Sequence, residues 1–194
     1  MSKLRARTSD LAPPPSSTVS APSGIRGAID ALVQSSLVEL FAAYDIAVAP
    51  LPRYSQLQRV PAVPDVSAAA NFTLRGRFGP PGRLTLSLPS AVLESMKSGS
   101  SLKGDWTREL ASQLIGRIKN RLLQFSVRIE VGVSSTLDSK ALSSHLSQAQ
   151  GARLYTGRTL RGEILVTLEG TPDESQLVYV GPQNVATEGT GILF

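Results

Sequence analysis

The chain has 194 residues, a formal net charge of +5 and 41% hydrophobic residues, which fits one folded domain with a tail. Cysteine is absent and His145 is the only histidine, which excludes disulfides and thiolate metal sites and argues against a histidine-based metal site or a Ser-His-Asp relay. No apolar run reaches the roughly 18 residues of a membrane span, and no apolar segment follows the basic N-terminus, so we expect a soluble cytoplasmic protein.

The N-terminal residues 1–23 are rich in proline and serine and include the run Pro13-Pro14-Pro15. A segment of this composition cannot bury enough apolar surface to offset the entropy that ordering costs. We therefore predict a disordered tail over residues 1–23 and a single folded domain over residues 24–194.

From Ile25 to Tyr44, the apolar residues recur at the spacing of one helix face. This spacing predicts an amphipathic helix that packs on the core. Pro50 and Pro52 end the region, because proline cannot continue a helix. The apolar face consists of Ile29, Leu32, Val33, Leu37, Leu40, Phe41 and Tyr44.

Two strand-like segments follow, Asn71–Phe78 and Arg83–Leu88, in which apolar and polar residues alternate. Glycines and prolines at 79–82 separate them, a composition typical of a hairpin connection. Pro89 then stands where a helix begins, and the apolar residues up to Met96 predict a short helix that ends near Gly99.

The second half of the chain predicts one long helix, Asp105–Gln124, with Asp105 as its N-cap. The stretch Lys140–Ala149 suits either a loop or a short helix. The strand-like segments are Val127–Val133, Leu154–Leu160, Gly162–Glu169 and Gln176–Val180. The order of elements indicates an α+β fold in which a largely antiparallel sheet packs with two long helices and one short helix.

The long helix has an apolar face and an opposite polar stripe. On this stripe Glu109 and Ser112 are one turn apart, which puts their Cβ atoms about 5–6 Å from each other. A carboxylate can pair with a partner's lysine while a neighbouring polar group holds a water for attack on a phosphoryl group, since phosphoryl transfer depends mainly on positioning. The same spacing also suits an ordinary solvated helix face. The polar stripe consists of Glu109, Ser112, Gln113, Gly116 and Asn120.

The stretch Glu109-Leu110-Ala111-Ser112, followed by Gly116, resembles the Glu-Leu-Ala-Asn element on the long helix of CheX-type chemotaxis phosphatases, the family of CheC, CheX and FliY. The order of elements from Ile25 to Val180 is similar as well. The resemblance implies a protein that docks on the phosphorylated receiver domain of a response regulator, a CheY-like partner, and promotes hydrolysis of its aspartyl phosphate. It implies no cofactor of the chain's own, since magnesium is held at the receiver's site.

The resemblance also assigns residue roles. Glu109 matches the glutamate that pairs with the receiver's conserved lysine, and Ser112 occupies the position of the asparagine that orients the attacking water. Gln113, Gly116 and Asn120 are then expected to contact the partner. A homodimer is expected as well, because the strand-like segments near the C-terminus would otherwise leave a sheet edge exposed.

Serine at position 112 departs from the family pattern, because a hydroxyl on a short stem has less reach than a carboxamide. Gln113 offers an amide next door, whereas Asn120 lies about 16 Å from Glu109 along the helix and is too distant to share its reaction centre. Three readings stay open: weakened catalysis through Ser112, catalysis with Gln113 as the amide, and receiver binding without catalysis.

A remote alternative is a nucleic-acid-binding domain, based on a group of basic residues in and after the long helix. Aromatic residues make up only 5% of the chain, and neither zinc-ligand spacing nor a glycine-rich RNA-binding motif accompanies the charges. Nucleic-acid binding is therefore not expected. The basic residues concerned are Arg108, Arg117, Lys119, Arg121 and Arg128.

Overall fold

The computed structural model of the chain describes residues 27–51, 65–75, 81–96, 103–148 and 151–182, with the side chains of 145–148 excepted. The predicted tail, residues 1–23, and the predicted end of the short helix near Gly99 lie outside the described residues.

The described residues form one six-stranded sheet with four α-helices. The strand order is β1-β5-β6-β3-β2-β4, and each neighbouring pair is antiparallel. The α+β fold with an antiparallel sheet is therefore confirmed. In chain order the elements are α1 (Ala28–Ala42), β1 (Ala49–Pro50), β2 (Val66–Leu74), β3 (Gly82–Leu88), α2 (Ser90–Ser95), α3 (Lys103–Leu122), β4 (Ile129–Leu137), α4 (Ser139–Gln148), β5 (Arg153–Thr159) and β6 (Gly162–Glu169), with 3-10 turns at Leu123–Phe125 and Glu174–Gln176.

The two long helices, α1 and α3, pack on one face of the sheet and on each other. The predicted apolar residues of the first helix are buried from Ile29 to Phe41, and Tyr44 lies half-buried just beyond the helix end. Burial of the α3 face follows the predicted periodicity, with Thr107 added. The buried α3 residues are Thr107, Leu110, Ala111, Leu114, Ile115, Ile118 and Leu122.

The first long strand begins earlier than predicted, at Val66 rather than Asn71. The run Ala68–Ala70 caused the error, because alanine has a low strand propensity and does not alternate with polar residues. In the structure all three alanines are buried, and Ala68 and Ala70 belong to the core that α3 covers. Their small side chains suit the close packing of α3 on β2.

Two predictions near element ends are wrong. Asp105 is not the N-cap of the long helix: α3 already includes Lys103, and the Asp105 carboxylate pairs with Arg108 at 3.1 Å. The segment Gln176–Val180 is not a strand. It follows a 3-10 turn in which the Asp173 carboxylate accepts a hydrogen bond from the Ser175 N–H at 3.0 Å, and the Val180 N–H donates to the Gln124 carbonyl, which belongs to no strand.

The edge strand β4 contains a β-bulge opposite β2. Ala70 pairs with Ser134 while Phe72 pairs with Val131, so β4 has one extra residue at Gly132–Val133. The extra residue reverses the alternation and leaves Val133 89% exposed. Beyond the bulge the strand continues to Leu137, four residues past its predicted end at Val133.

Substituting Gly157 with alanine is expected to lower the free energy of unfolding by about 1–3 kcal/mol, the usual cost of overpacking a core. Gly157 is buried on β5, and a Cβ there would lie 2.5 Å from Val48 Cγ1 and 3.3 Å from Leu37 Cδ2. A Val48→Ala background removes the nearer contact, so the same substitution should cost less there. Chemical denaturation of the wild type, both single variants and the double variant measures this difference. Equal costs in the two backgrounds would contradict the prediction.

Within the described ranges, no helix combines the length and the apolar character that a membrane crossing requires.

Candidate functional site

The polar stripe of α3 runs between the end of α1 and the strand β4. Glu109 is exposed, and Ser112, Gln113, Gly116 and Asn120 are half-buried. Ser112 contacts Ser134 of β4 on one side of the stripe, and Gln113 contacts Tyr44, just after α1, on the other. The structure therefore brings Glu109, Ser112 and Gln113 together, with Gly116 and Asn120 one and two turns farther along.

The Ser112 hydroxyl is turned toward β4. Its Oγ lies 3.0 Å from the Arg108 carbonyl oxygen and 2.8 Å from Ser134 Oγ. A hydroxyl has a single proton to donate, so the bond to Arg108 uses it, and Ser134 then donates to Ser112. The bulge in β4 allows this contact. Without the extra residue, Val133 and not Ser134 would pair with Ala70 of β2 and face α3.

The Gln113 carboxamide is held at both ends. Its Nε2 donates to Glu109 Oε1 at 3.1 Å, and its Oε1 accepts from the Tyr44 hydroxyl at 2.9 Å. The Tyr44 ring packs edge-on against Trp106, with ring centroids 5.6 Å apart and planes at 81°. A carboxylate and an oriented amide thus lie side by side on the surface of α3.

Sequence reasoning did not identify Tyr44 and Ser134 as parts of this site. Tyr44 counted as the last apolar position of the first helix, and Ser134 lies in a serine-rich stretch. The Tyr44–Gln113 bond joins residues 69 positions apart. Residue spacing within one segment cannot predict a contact over that distance. The one available signal is the tyrosine itself, because a tyrosine that is partly buried usually forms a hydrogen bond through its hydroxyl.

The basic residues behind the nucleic-acid alternative are partly engaged within the chain. Arg108 pairs with Asp105 at 3.1 Å, and Arg121 pairs with Glu39 and donates to Ser35 of α1. The first pair lies within the start of α3, and the Arg121 contacts connect α3 to α1. They reduce the positive charge that a phosphate backbone would meet on this surface.

The stripe is a surface whose residues are exposed or half-buried. A cavity of about 610 Å³ opens beside it, bordered by Tyr44, Ile46, Val92, Met96 and Leu160. No stripe residue lines this cavity or the smaller one near Phe125. Among the side chains that the structure describes, no three His, Cys, Asp or Glu residues form a group that could hold a metal ion.

Solved structures with a similar fold include several chemotaxis proteins. The chain aligns with the chemotaxis protein CheX from Desulfovibrio desulfuricans at a TM-score of 0.56 and 14% identity, over 73% of this chain and 97% of that one. A putative chemotaxis protein from Desulfovibrio vulgaris Hildenborough aligns at a TM-score of 0.56 and 14% identity, over 73% of this chain and 95% of that one. CheX from Vibrio vulnificus aligns at a TM-score of 0.56 and 12% identity, over 73% of this chain and 95% of that one.

These alignments confirm the expected CheX/CheC-like fold. No protein-family model matches the chain, and no curated protein does either. At 12–14% identity the likeness concerns the fold, so the function has to be argued from the site itself.

Proposed function

We propose that this chain, which has the fold of CheX-type chemotaxis proteins, docks through the α3 stripe on the phosphorylated receiver domain of a response regulator and promotes hydrolysis of its aspartyl phosphate. The observation that carries the proposal is the exposed Glu109 carboxylate with the oriented Gln113 amide beside it. Both project from the long helix, where the sequence resemblance places the phosphatase element.

The reaction needs little covalent chemistry from this chain. A water oxygen forms a bond to phosphorus while the bond between phosphorus and the receiver's aspartate oxygen breaks. The electron pair of that bond leaves with the aspartate carboxylate. One proton of the water stays on the oxygen now bonded to phosphorus, and the other passes to another oxygen of the released phosphate. Such a transfer depends on positioning and on charge stabilisation, which a carboxylate and an amide can supply.

Glu109 would act by pairing with the lysine beside the receiver's phosphorylation site. The carboxylate is exposed and accepts a hydrogen bond from Gln113, so it is available to a partner and held in one place. Magnesium would be bound by the receiver, which leaves this chain without a metal site of its own. A charge-assisted bond of this kind strengthens when docking removes water from it.

A second candidate is receiver binding without catalysis. The hydrogen bonds of Ser112 with the Arg108 carbonyl and with Ser134 favour it. They turn the residue that replaces the family's asparagine toward β4 of the same chain. The predicted homodimer stays a proposal too. The edge strand β4 has one strand neighbour among the described residues, β2, and its other side is an edge on which a second copy can pair.

Phosphate release from a panel of phosphorylated CheY-like receiver domains, with magnesium and with or without the full chain, tests the proposal. We expect the chain to accelerate release from at least one receiver by 10-fold or more, on the order that positioning a nucleophile supplies. The Glu109→Ala variant should bind that receiver more weakly. The control is Glu130→Ala, which removes an exposed carboxylate at the start of β4, outside the polar stripe, and should bind like the wild type.

A chain that binds no receiver of the panel would contradict the proposed function. A chain that binds a receiver without accelerating release would support the second candidate. A salt titration against a generic DNA duplex separates both outcomes from nucleic-acid binding, whose affinity falls steeply with salt.

A further inference from the structure

We propose that Gln113 is the residue that orients the attacking water and that Tyr44 is its positioning residue. This inference rests on the proposed function and names the amide that the family pattern places at position 112. Gln113 is an amide one residue later along α3, bound to Tyr44 on one side and Glu109 on the other.

The chemistry of the three groups permits one arrangement of the amide. An ionised glutamate only accepts hydrogen bonds, so the Gln113 Nε2 has to face Glu109. The Oε1 then faces away from the carboxylate, and the Tyr44 hydroxyl donates to it at 2.9 Å. Tyr44 therefore stabilises the orientation that keeps the amide nitrogen beside Glu109.

The amide retains bonding capacity for a water after these two contacts. Nε2 has two protons and donates one to Glu109, and Oε1 has two lone pairs and accepts one bond from Tyr44. One proton and one lone pair are left over by these contacts. Ser112, in comparison, uses its only proton on the Arg108 carbonyl.

The backbone and the ring of Tyr44 are held independently of its hydroxyl. The Tyr44 N–H donates to the Phe41 carbonyl at 3.0 Å, and its ring packs on Trp106 with centroids 5.6 Å apart. A phenylalanine at this position keeps both contacts and loses the bond to Gln113. The Tyr44→Phe variant therefore isolates the hydroxyl.

The test compares Tyr44→Phe, Gln113→Ala and their double variant in the full chain, after thermal unfolding has shown that each is folded. Phosphate release is measured at saturating phosphorylated receiver, and binding is measured with a beryllofluoride-loaded receiver, which is not hydrolysed. We expect Gln113→Ala to slow release about 10-fold or more. Tyr44→Phe should slow it about 3–10-fold, as the loss of one positioning hydrogen bond does.

Two further results are expected if Tyr44 acts through Gln113. The double variant should be no slower than Gln113→Ala alone, because the hydroxyl has nothing left to position. Binding of the beryllofluoride-loaded receiver should change little in Tyr44→Phe, which distinguishes positioning from docking. Tyr179→Phe, at a 57% exposed tyrosine beside Phe125, is the matched control and should behave like the wild type.

Four outcomes would overturn the inference, one of them measured on an added Ser112→Ala variant. If the wild type releases phosphate and both Tyr44→Phe and Gln113→Ala leave the rate unchanged, the inference fails and the proposed function stands. If Ser112→Ala slows release more than Gln113→Ala, the serine orients the water. If the wild type binds a receiver without releasing phosphate, the catalytic role of Gln113 fails while docking stands; a wild type that binds no receiver removes both.

Discussion

Replacing Arg153 with methionine is expected to lower the free energy of unfolding by about 3 kcal/mol, the lower end of the range for breaking a buried ion pair. Arg153 Nη1 lies 3.0 Å from Asp30 Oδ1 and 2.6 Å from Glu174 Oε1. These three side chains are only 16–24% exposed. Without the guanidinium, two carboxylates would remain close together with little solvent to stabilise them.

This network connects the start of α1 to the sheet and to the 3-10 turn after β6. The Tyr155 hydroxyl donates to Asp30 at 2.8 Å, and the Gly27 N–H donates to Glu174 Oε2 at 2.8 Å. Burial lowers the pKa of Arg153, but its bonds to Glu174 and Asp30 outweigh burial and raise it overall. The network thereby holds α1, which ends just before Tyr44, against β5.

Glu174 makes part of this stability dependent on pH. Burial raises the pKa of its carboxyl, but the hydrogen bonds from Gly27 and Arg153 outweigh burial, so the pKa lies below its ordinary value. A lowered folded pKa contributes stability that is complete above the unfolded value of about 4.3 and is lost as the pH falls through the folded value. The wild type should therefore lose stability in this acid range, and Glu174→Gln should lose less.

Denaturant titrations of wild type and variants at neutral pH, repeated at pH values below about 4.3, measure both effects. Arg75→Met is the matched control, because Arg75 pairs with Glu130 at 3.3 Å in an ion pair that is 64–67% exposed. Such surface pairs contribute at most about 1 kcal/mol. If Arg153→Met costs no more than Arg75→Met, the network does not stabilise the fold as described.

Reversing the charge of Glu109 is expected to weaken receiver binding by at least about 30-fold, since removing one partner of a desolvated charge pair costs roughly 2–5 kcal/mol. The expectation rests on the proposed function. The ammonium introduced by Glu109→Lys would face the receiver's lysine and add repulsion to the lost attraction. It would also lose the bond from Gln113 Nε2, because an ammonium has no acceptor.

A charge swap distinguishes this pairing from a general loss of the surface. Binding of Glu109→Lys to a receiver whose lysine is changed to glutamate should recover in part, because the pair is restored with opposite polarity. The swapped receiver carries a glutamate beside its phosphorylation site, which alters that site, so binding and not phosphate release is the measurement. Glu130→Lys, a reversal at an exposed carboxylate outside the stripe, should bind the unmodified receiver normally. Unchanged binding of Glu109→Lys would show that α3 is not the docking face.

Local patterns in the sequence were sufficient to predict most elements and the composition of the polar stripe. The apolar spacing in α1 and α3 reports which side of each helix is buried, because 3.6 residues per turn places those positions on one face. The strand Gly162–Glu169 was predicted at its observed bounds, and Leu154–Leu160 within one residue. The placement of Glu109, Ser112 and Gln113 on one polar stripe likewise follows from helix geometry alone.

Only the tertiary structure decided which neighbours these residues have. Ala68–Ala70 form a strand in which α3 covers Ala68 and Ala70, and β3 buries Thr85 and Ser87 on the sheet face opposite its leucines. The bulge in β4 places Ser134 against Ser112, and the packing of α1 on α3 places Tyr44 against Gln113. Contacts of this kind depend on register and on the distance between elements, which arise when the whole core packs and are not encoded in the spacing of any single segment.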